Sequence, residues 1–219
     1  MRNKLPRAVI FDWDNTLVDS WGAIAEAINY VRTRYGQPVW TMNEILSNCT
    51  RSARESFPDW FGDQWQVACD DYYAFFDKIR GRMGLHPTEG AHDLLLWLKE
   101  KEIPALVVSN KSGDYLRQEA TQLDWNKYFV SIVGAHDAPR DKPSREHADH
   151  ALKLAGLVAH PDIWFIGDSE ADIACARNAN LLPILIGNKE SARKLEVEHF
   201  VADCRELLGL LNKTHSAIA

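Results

Sequence analysis

The chain has 219 residues, of which 46% are hydrophobic and 26% charged, with 12 Gly and 9 Pro; collagen-like, disordered and low-complexity chains are excluded. Its 25 basic and 31 acidic residues give a formal charge of −6, so no overall positive field exists to hold a nucleic-acid backbone or an anionic membrane. An anionic ligand must be held by a few local cations or by a metal. Cys49, Cys69, Cys175 and Cys204 form no C-x-x-C pair, which suggests neither a zinc site nor a disulfide framework and leads us to expect reduced thiols in a cytoplasmic protein. Behind the basic N-terminal residues, the apolar run Ala8–Phe11 stops at Asp12, too short for a secretory signal. No apolar stretch approaches the ~18 residues of a membrane span.

The first predicted strand is Ala8–Phe11. From Ser20 to Arg82 no strand pattern follows; helical segments are predicted at Trp21–Tyr35, Met42–Cys49 and Gln64–Ile79. A parallel crossover needs only about a dozen residues, so 20–82 is read as an inserted α-helical cap domain, and residues 1–19 and 83–219 as the core domain. Beyond the insertion, strands at Ile103–Val108, Phe129–Val133, Ile163–Ile166 and Pro183–Ile186, with a weaker one at His199–Ala202, alternate with helices at Gly90–Lys101, Tyr115–Leu123 and Arg145–Ala155. Lys213–Ala219 reads as a frayed tail. The alternation predicts an α/β fold, a three-layer Rossmann-like parallel sheet with helices on both faces. Ligands of such sheets bind beyond the carboxyl ends of the strands, which directs attention to the residues that end each run.

The first strand ends in Asp12-Trp13-Asp14-Asn15-Thr16. Extended backbone puts Asp12 and Asp14 on one face, where two carboxylates repel unless a cation lies between them; a hard divalent ion such as Mg²⁺ suits oxygen ligands. An Asp-rich loop or helix cap is the bland alternative. The second strand ends in Ser109-Asn110, donors that suit a phosphate oxygen or merely cap a helix. Lys142-Pro143 follows the third strand and starts a helix; alone, Lys142 reads as a surface lysine. Gly167-Asp168-Ser169-Glu170-Ala171-Asp172 follows the fourth, its Asp168 and Asp172 serving either a metal or the helix dipole.

These four ordered segments together resemble the motifs of the haloacid dehalogenase superfamily of phosphohydrolases, over essentially Ala8 to Gly187, with a layout similar to phosphoglycolate phosphatases. The resemblance implies Mg²⁺-dependent hydrolysis of a small phosphorylated metabolite, by a monomer or homodimer with no nucleic-acid or membrane partner. Asp12 is then the nucleophile and Asp14 the general acid and base; Ser109 and Lys142 hold the transferring phosphoryl group, with Asn110 beside them on the substrate. The implied metal set is Asp12, Asp14 through its carbonyl, Asp168 and Asp172. Asp14 argues against dehalogenase chemistry, which needs no leaving-group proton. A sugar-phosphate mutase-type phosphotransferase and a non-catalytic regulatory protein of the same fold are the alternatives.

Asn15 stands where many relatives carry Gly, and a positive-φ turn there explains it. Trp13 is bulkier than usual, and either packs under the sheet edge or narrows the pocket. Cys49–Phe57 resembles the cap loop that reaches the substrate, making Arg51 and Arg54 candidates for a carboxylate or second anion, or else surface partners of Glu55 or Asp59. The aromatics Trp60, Phe61, Trp65, Tyr72, Tyr73, Phe75 and Phe76 read as the cap's own core, Lys78 as a solvated charge, and His147 and His150, among Arg145, Glu146 and Asp149, as exposed.

Overall fold

Four consecutive buried residues, Ala8–Phe11, form strand β1. In the computed structural model, which describes residues 4–49 and 51–217, β1 is the centre of the molecule's main sheet. After it come β2 (Val18–Asp19), α1 (Trp21–Arg34), α2 (Met42–Asn48), α3 (Ala53–Phe61), α4 (Trp65–Met83), β3 (His86–Pro87) and α5 (Ala91–Glu100). The chain continues through β4 (Ala105–Ser112), α6 (Gly113–Gln122), β5 (Phe129–Ala135), α7 (Arg145–Leu154), β6 (Ile163–Gly167) and α8 (Glu170–Asn178). It closes with β7 (Leu182–Ile186), α9 (Lys189–Lys194), β8 (Phe200–Val201) and α10 (Cys204–Ser216).

The six-stranded sheet has the order β5-β4-β1-β6-β7-β8, and its strands pair in parallel. Strands β2 and β3 make a separate two-stranded pair. The chain runs from β1 through β4 to β5 at one edge and then crosses to β6, β7 and β8 on the other side of β1, so the strand order reverses beside β1, where such sheets open a crevice at the carboxyl end. Alternation sends Ala8, Ile10, Leu106, Val108 and Phe165 to one face, where they pack with Ala148, Ala151 and Leu152 of α7 and Cys175 and Ala176 of α8. Val9, Phe11, Val107 and Ile166 take the other face. On that side α5 packs on β4, and α10 on α5. Each buried Val, Leu, Ile or Phe among them contributes about 1.5–3 kcal/mol by leaving water, which makes the sheet a rigid platform for whatever its strand ends carry.

The chain divides into two compact units, 1–18 with 87–219, and 19–86. The second is helical. Its core gathers Ile28 and Val31 of α1, Ile45 of α2, Phe57 and Phe61 of α3 and Ala68 of α4, with Trp60, Trp65 and Tyr72 packed around them. Phe75 and Phe76 join Ala27 and Ile79 in a second cluster, and Tyr73 lies edge-on to Tyr72, so the aromatic residues form that unit's interior. Arg32, buried for a charged residue, stacks 3.7 Å over Trp40 and donates to the Pro38 carbonyl.

By compactness the second unit spans 19–86, beside the 20–82 read from the sequence. Other expectations are corrected. Cys49–Phe57 is not all loop: α3 begins at Ala53, with Thr50 outside the described residues. The C-terminal residues stay helical to Ser216 because Leu207 and Leu211 are buried, although Lys213–Ala219 reads as a tail; 218 and 219 lie outside the described residues. His147 is fully buried and His150 half-buried, because 147, 148, 151 and 152 form the inward stripe of α7. All four cysteines are free thiols, and among the described residues no helix is long and apolar enough to cross a membrane.

One close approach fixes where the end of β4 lies. A Cβ on Gly134 of β5 would come within 2.4 Å of the Gly113 Cα and 2.7 Å of the Lys111 carbonyl oxygen, both backbone atoms that cannot yield. Gly134→Ala therefore lowers the unfolding free energy by about 3 kcal/mol, the upper end of overpacking costs, in urea denaturation at neutral pH. A change within ~0.5 kcal/mol, as at an ordinary surface position, would show that β5 and the start of α6 are not in contact.

Candidate active site

Asp12 is the first residue beyond β1, anchored by its own N–H on the Ile166 carbonyl at 2.8 Å. The chain then turns on a single acceptor: the Trp13 carbonyl receives the N–H groups of Thr16, Leu17 and Val18. Asn15 takes φ 63° within this turn, the left-handed conformation expected of it. The turn separates the two carboxylates, so Asp12 and Asp14 find different cations.

Lys142 reaches Asp12. Its buried ammonium donates to Asp12 Oδ1 at 2.6 Å and to Asp172 Oδ1 at 2.7 Å. Burial opposes the lysine's charge, but the pull of Asp12 and Asp172 outweighs it and raises its pKa above the ordinary value. Asp172 is fixed from its other oxygen, which accepts from the Ser169 N–H at 3.0 Å and hydroxyl at 2.6 Å in a capping box that starts α8. Only glycine at 167 leaves room for this: a Cβ there would lie 2.3 Å from the Asp172 carboxyl carbon.

Asp12, Asp168 and Asp172 offer carboxylate oxygens that all lie within 4.8 Å of one another. Burial drives the Asp12 carboxyl up to about 7, with Lys142 pulling it back and Asp172 pushing it further. Asp168 is pushed well above the usual carboxylate range by burial, then by Asp12 and Asp172. One ammonium does not balance three carboxylates. The residual charge and all-oxygen donor set fit a hard divalent cation.

Lys142 is placed by its backbone. Its N–H donates to Asn110 Oδ1 and to His147 Nδ1, both at 3.0 Å, while the Asn110 amide donates back to the Lys142 carbonyl at 3.1 Å. The peptide to Pro143 is cis. Asn110, expected on the substrate, thus commits both ends of its amide to Lys142. His147 must be neutral to accept from that N–H, with Nε2 donating to the Gly134 carbonyl at 3.0 Å. Ser109 is buried within β4, three residues before the strand ends at Ser112, its hydroxyl accepting from the Lys111 N–H at 3.2 Å.

The sequence model of the family described as haloacid dehalogenase-like hydrolase matches residues 9–186, from β1 through β7. The chain belongs to that family. It is 30% identical over 195 residues to a phosphoglycolate phosphatase of Chromobacterium violaceum, covering 85% of this chain and 87% of that one. A haloacid dehalogenase superfamily hydrolase from Ehrlichia chaffeensis superposes with a TM-score of 0.66 at 27% identity, over 96% of this chain and 98% of that one. A haloacid dehalogenase-like family hydrolase from Streptococcus pneumoniae shares the fold with a TM-score of 0.80 at 23% identity, over 96% and 99%. The protein is therefore a hydrolase, phosphoglycolate phosphatase-like in sequence.

Within this family site the expected residues do not all converge. Asp12, Lys142, Asp168 and Asp172 meet directly, whereas the Asp14 carboxylate pairs with Lys111 at 2.7 Å and is not part of the three-acid cluster. In the helical unit Arg51 pairs with Asp59 at 2.6 Å, and Arg54 lies half-buried in the first turn of α3. Lys78 is exposed. Trp13 does not narrow a pocket; it is fully buried, edge-on to Trp125 and Phe129. Sequence reasoning missed Lys111, Glu119 and His147. The signal for Glu119 was a charged residue on the apolar stripe of α6 beside Leu116 and Ala120.

Burial, then the charge of Lys142, lowers the His147 pKa to about 4, against opposing contributions from the Gly134 carbonyl, Asp141 and Asp137. The unfolded chain takes up this proton near its ordinary value of ~6.5, the folded chain only near 4, so stability present above that range is lost as pH falls through it. Unfolding free energies of wild type and His147→Gln should differ by about 3 kcal/mol less at pH 4 than at pH 7. A gap independent of pH would mean that this imidazole is not buried and neutral.

Proposed function

We propose that the protein hydrolyses small phosphate monoesters, phosphoglycolate among them, through an aspartyl phosphate on Asp12 with Mg²⁺ as cofactor. The observation that carries this reading is the Asp12 carboxylate at the centre of the sheet edge, held by Lys142 inside a cluster of acids. A nucleophilic carboxylate must be ionised, oriented and close to a fixed positive charge, and Lys142 meets all three needs.

Asp12 attacks phosphorus, forming the Asp12–phosphorus bond as the bond to the leaving oxygen breaks. Asp14 gives its proton to that oxygen, so the alcohol departs neutral. Asp14, now ionised, takes a proton from water; the resulting oxygen attacks phosphorus, the Asp12–phosphorus bond breaks, and inorganic phosphate and free Asp12 are regenerated. Lys142 offsets the charge that accumulates when the phosphoryl group approaches Asp12, and Ser109 supplies a hydroxyl for one of its oxygens. Mg²⁺ would be held by Asp12, the Asp14 carbonyl and Asp168, with Asp172 holding Lys142 and metal waters, and would supply electrostatic stabilisation of the phosphoryl oxygens. Arg54, and Arg51 once released from Asp59, are the candidates for a carboxylate on the substrate. We place the enzyme in the cytoplasm, where its four free thiols stay reduced.

Asp12→Asn keeps the hydrogen-bonding shape and removes the nucleophile. Its turnover of phosphoglycolate with Mg²⁺ is expected to fall by about 10³-fold or more while the circular dichroism spectrum is unchanged. Acid quenching of the wild type should trap phosphate on Asp12, identified by peptide mass. Wild-type rates in the variant would remove Asp12 from the mechanism, and passage of the trapped phosphate to a sugar instead of water would mark a phosphotransferase.

A further inference from the structure

The deepest ionic network outside the Asp12 cluster belongs to Lys111. Its ammonium lies 2.7 Å from Asp14 Oδ1 and 2.9 and 2.8 Å from the two oxygens of Glu119. The Lys111 and Glu119 side chains are only 7% and 1% exposed, so these contacts are made in a poorly solvated setting where geometry is tightly held. Glu119 is in turn pinned by the Trp13 indole, whose N–H donates to Oε2 at 2.8 Å. Trp13 is itself fully buried and packs edge-on against Trp125 and Phe129, with ring centroids 5.8 and 6.2 Å away. The contacts close a ring: Trp13 holds Glu119, Glu119 holds Lys111, and Lys111 holds Asp14, the residue that follows Trp13.

Two other roles for Lys111 fit less well. As an anion-binding lysine it would have to present N–H donors to substrate, yet its three are directed at three carboxylate oxygens. As a mere packing element it would need neither charge nor reach into the turn that follows β1. A buried ammonium with two carboxylates is costly relative to an apolar trio of the same size, which makes it weak as a stabilising device.

We propose that Lys111 is a positioning residue: braced by Glu119 and Trp13, it fixes the Asp14 carboxylate in the orientation from which the proton reaches the leaving oxygen. The inference rests on the role given to Asp14 under the proposed function. Lys111 takes Oδ1, leaving Oδ2 as the oxygen that hands over and recovers the proton. An Asp14 side chain without this brace rotates freely and spends little time in line with the ester, a loss that falls on kcat and not on binding.

The test follows the first step alone, single-turnover release of the alcohol, because Asp14 serves every ester alike as the base of the second; it compares p-nitrophenyl phosphate, whose leaving group departs without a proton, with glycerol phosphate, whose alkoxide needs one. Lys111→Met should lower that release rate for glycerol phosphate by about 100-fold, within the range of general acid catalysis, with substrate affinity little changed, and lower it for the aryl ester less than tenfold. Added to Asp14→Asn, the same substitution should cost nothing further, because the residue it acts through is gone. Trp13→Phe, which keeps the ring and removes only the N–H, should shift the alkyl-to-aryl ratio in the same direction by several-fold, and it reads the network even if the Lys111 variant fails to fold. Equal losses on both esters in the Lys111 and Trp13 variants, or losses that multiply with Asp14→Asn, overturn the positioning role. If Asp14→Asn itself lowers both esters equally, the proton-transfer role of Asp14 fails, and the inference with it. If Asp14→Asn is selective and Lys111→Met is not, only the inference fails.

Discussion

A lysine ammonium and three carboxylates share a nearly dry space at the end of β1, and most of the core's local structure is organised by that crowding. Removing an ion from water costs several kcal/mol even after relaxation, and Lys142 recovers this only because Asp12 and Asp172 both contact it at hydrogen-bonding distance. The account is still short of positive charge. Among the described residues Asp168 has no lysine paired to it alone, and burial with two neighbouring carboxylates pushes its pKa far up. A site built this way is poised to accept a cation.

The backbone around the site follows from the need to deliver one lysine to one point. Asn110 and His147 converge on the Lys142 peptide from β4 and α7, so two elements on the sheet's own scaffold set where the side chain starts. Gly167 leaves the end of β6 bare so that Asp172 can lie across it, and Ser169 locks that carboxylate by capping the helix from which it projects. On the other side of the turn that follows β1, the Lys111 ring does for Asp14 what Asn110 and His147 do for Lys142. The two acids, two residues apart, are thereby given separate partners.

Residues that interrupt a strong pattern were legible in the sequence. Asp12 and Gly167-Asp168 break apolar strands where a sheet turns over to its loops, and Asn15 could be read as a left-handed turn because few side chains tolerate that backbone. What depended on register between distant elements was not legible. Lys111 sits among Ser109, Asn110 and Ser112, and nothing local says that it meets Glu119 one helix later. Asn110 looked like a substrate donor because the position of the Lys142 backbone follows only from the path of the loop after β5. His147 was hidden by charged neighbours, although its spacing to Ala148, Ala151 and Leu152 marks the inward face of α7.

The acids at this sheet edge fit a divalent cation because Lys142 alone leaves them undercharged. Calorimetric titration of Mg²⁺ into the wild type and into Asp168→Asn tests it without reference to turnover. One ion is expected to bind per wild-type chain, with binding weakened by about tenfold or more in the variant. Absence of binding to the wild type, or equal affinity in both proteins, would contradict it.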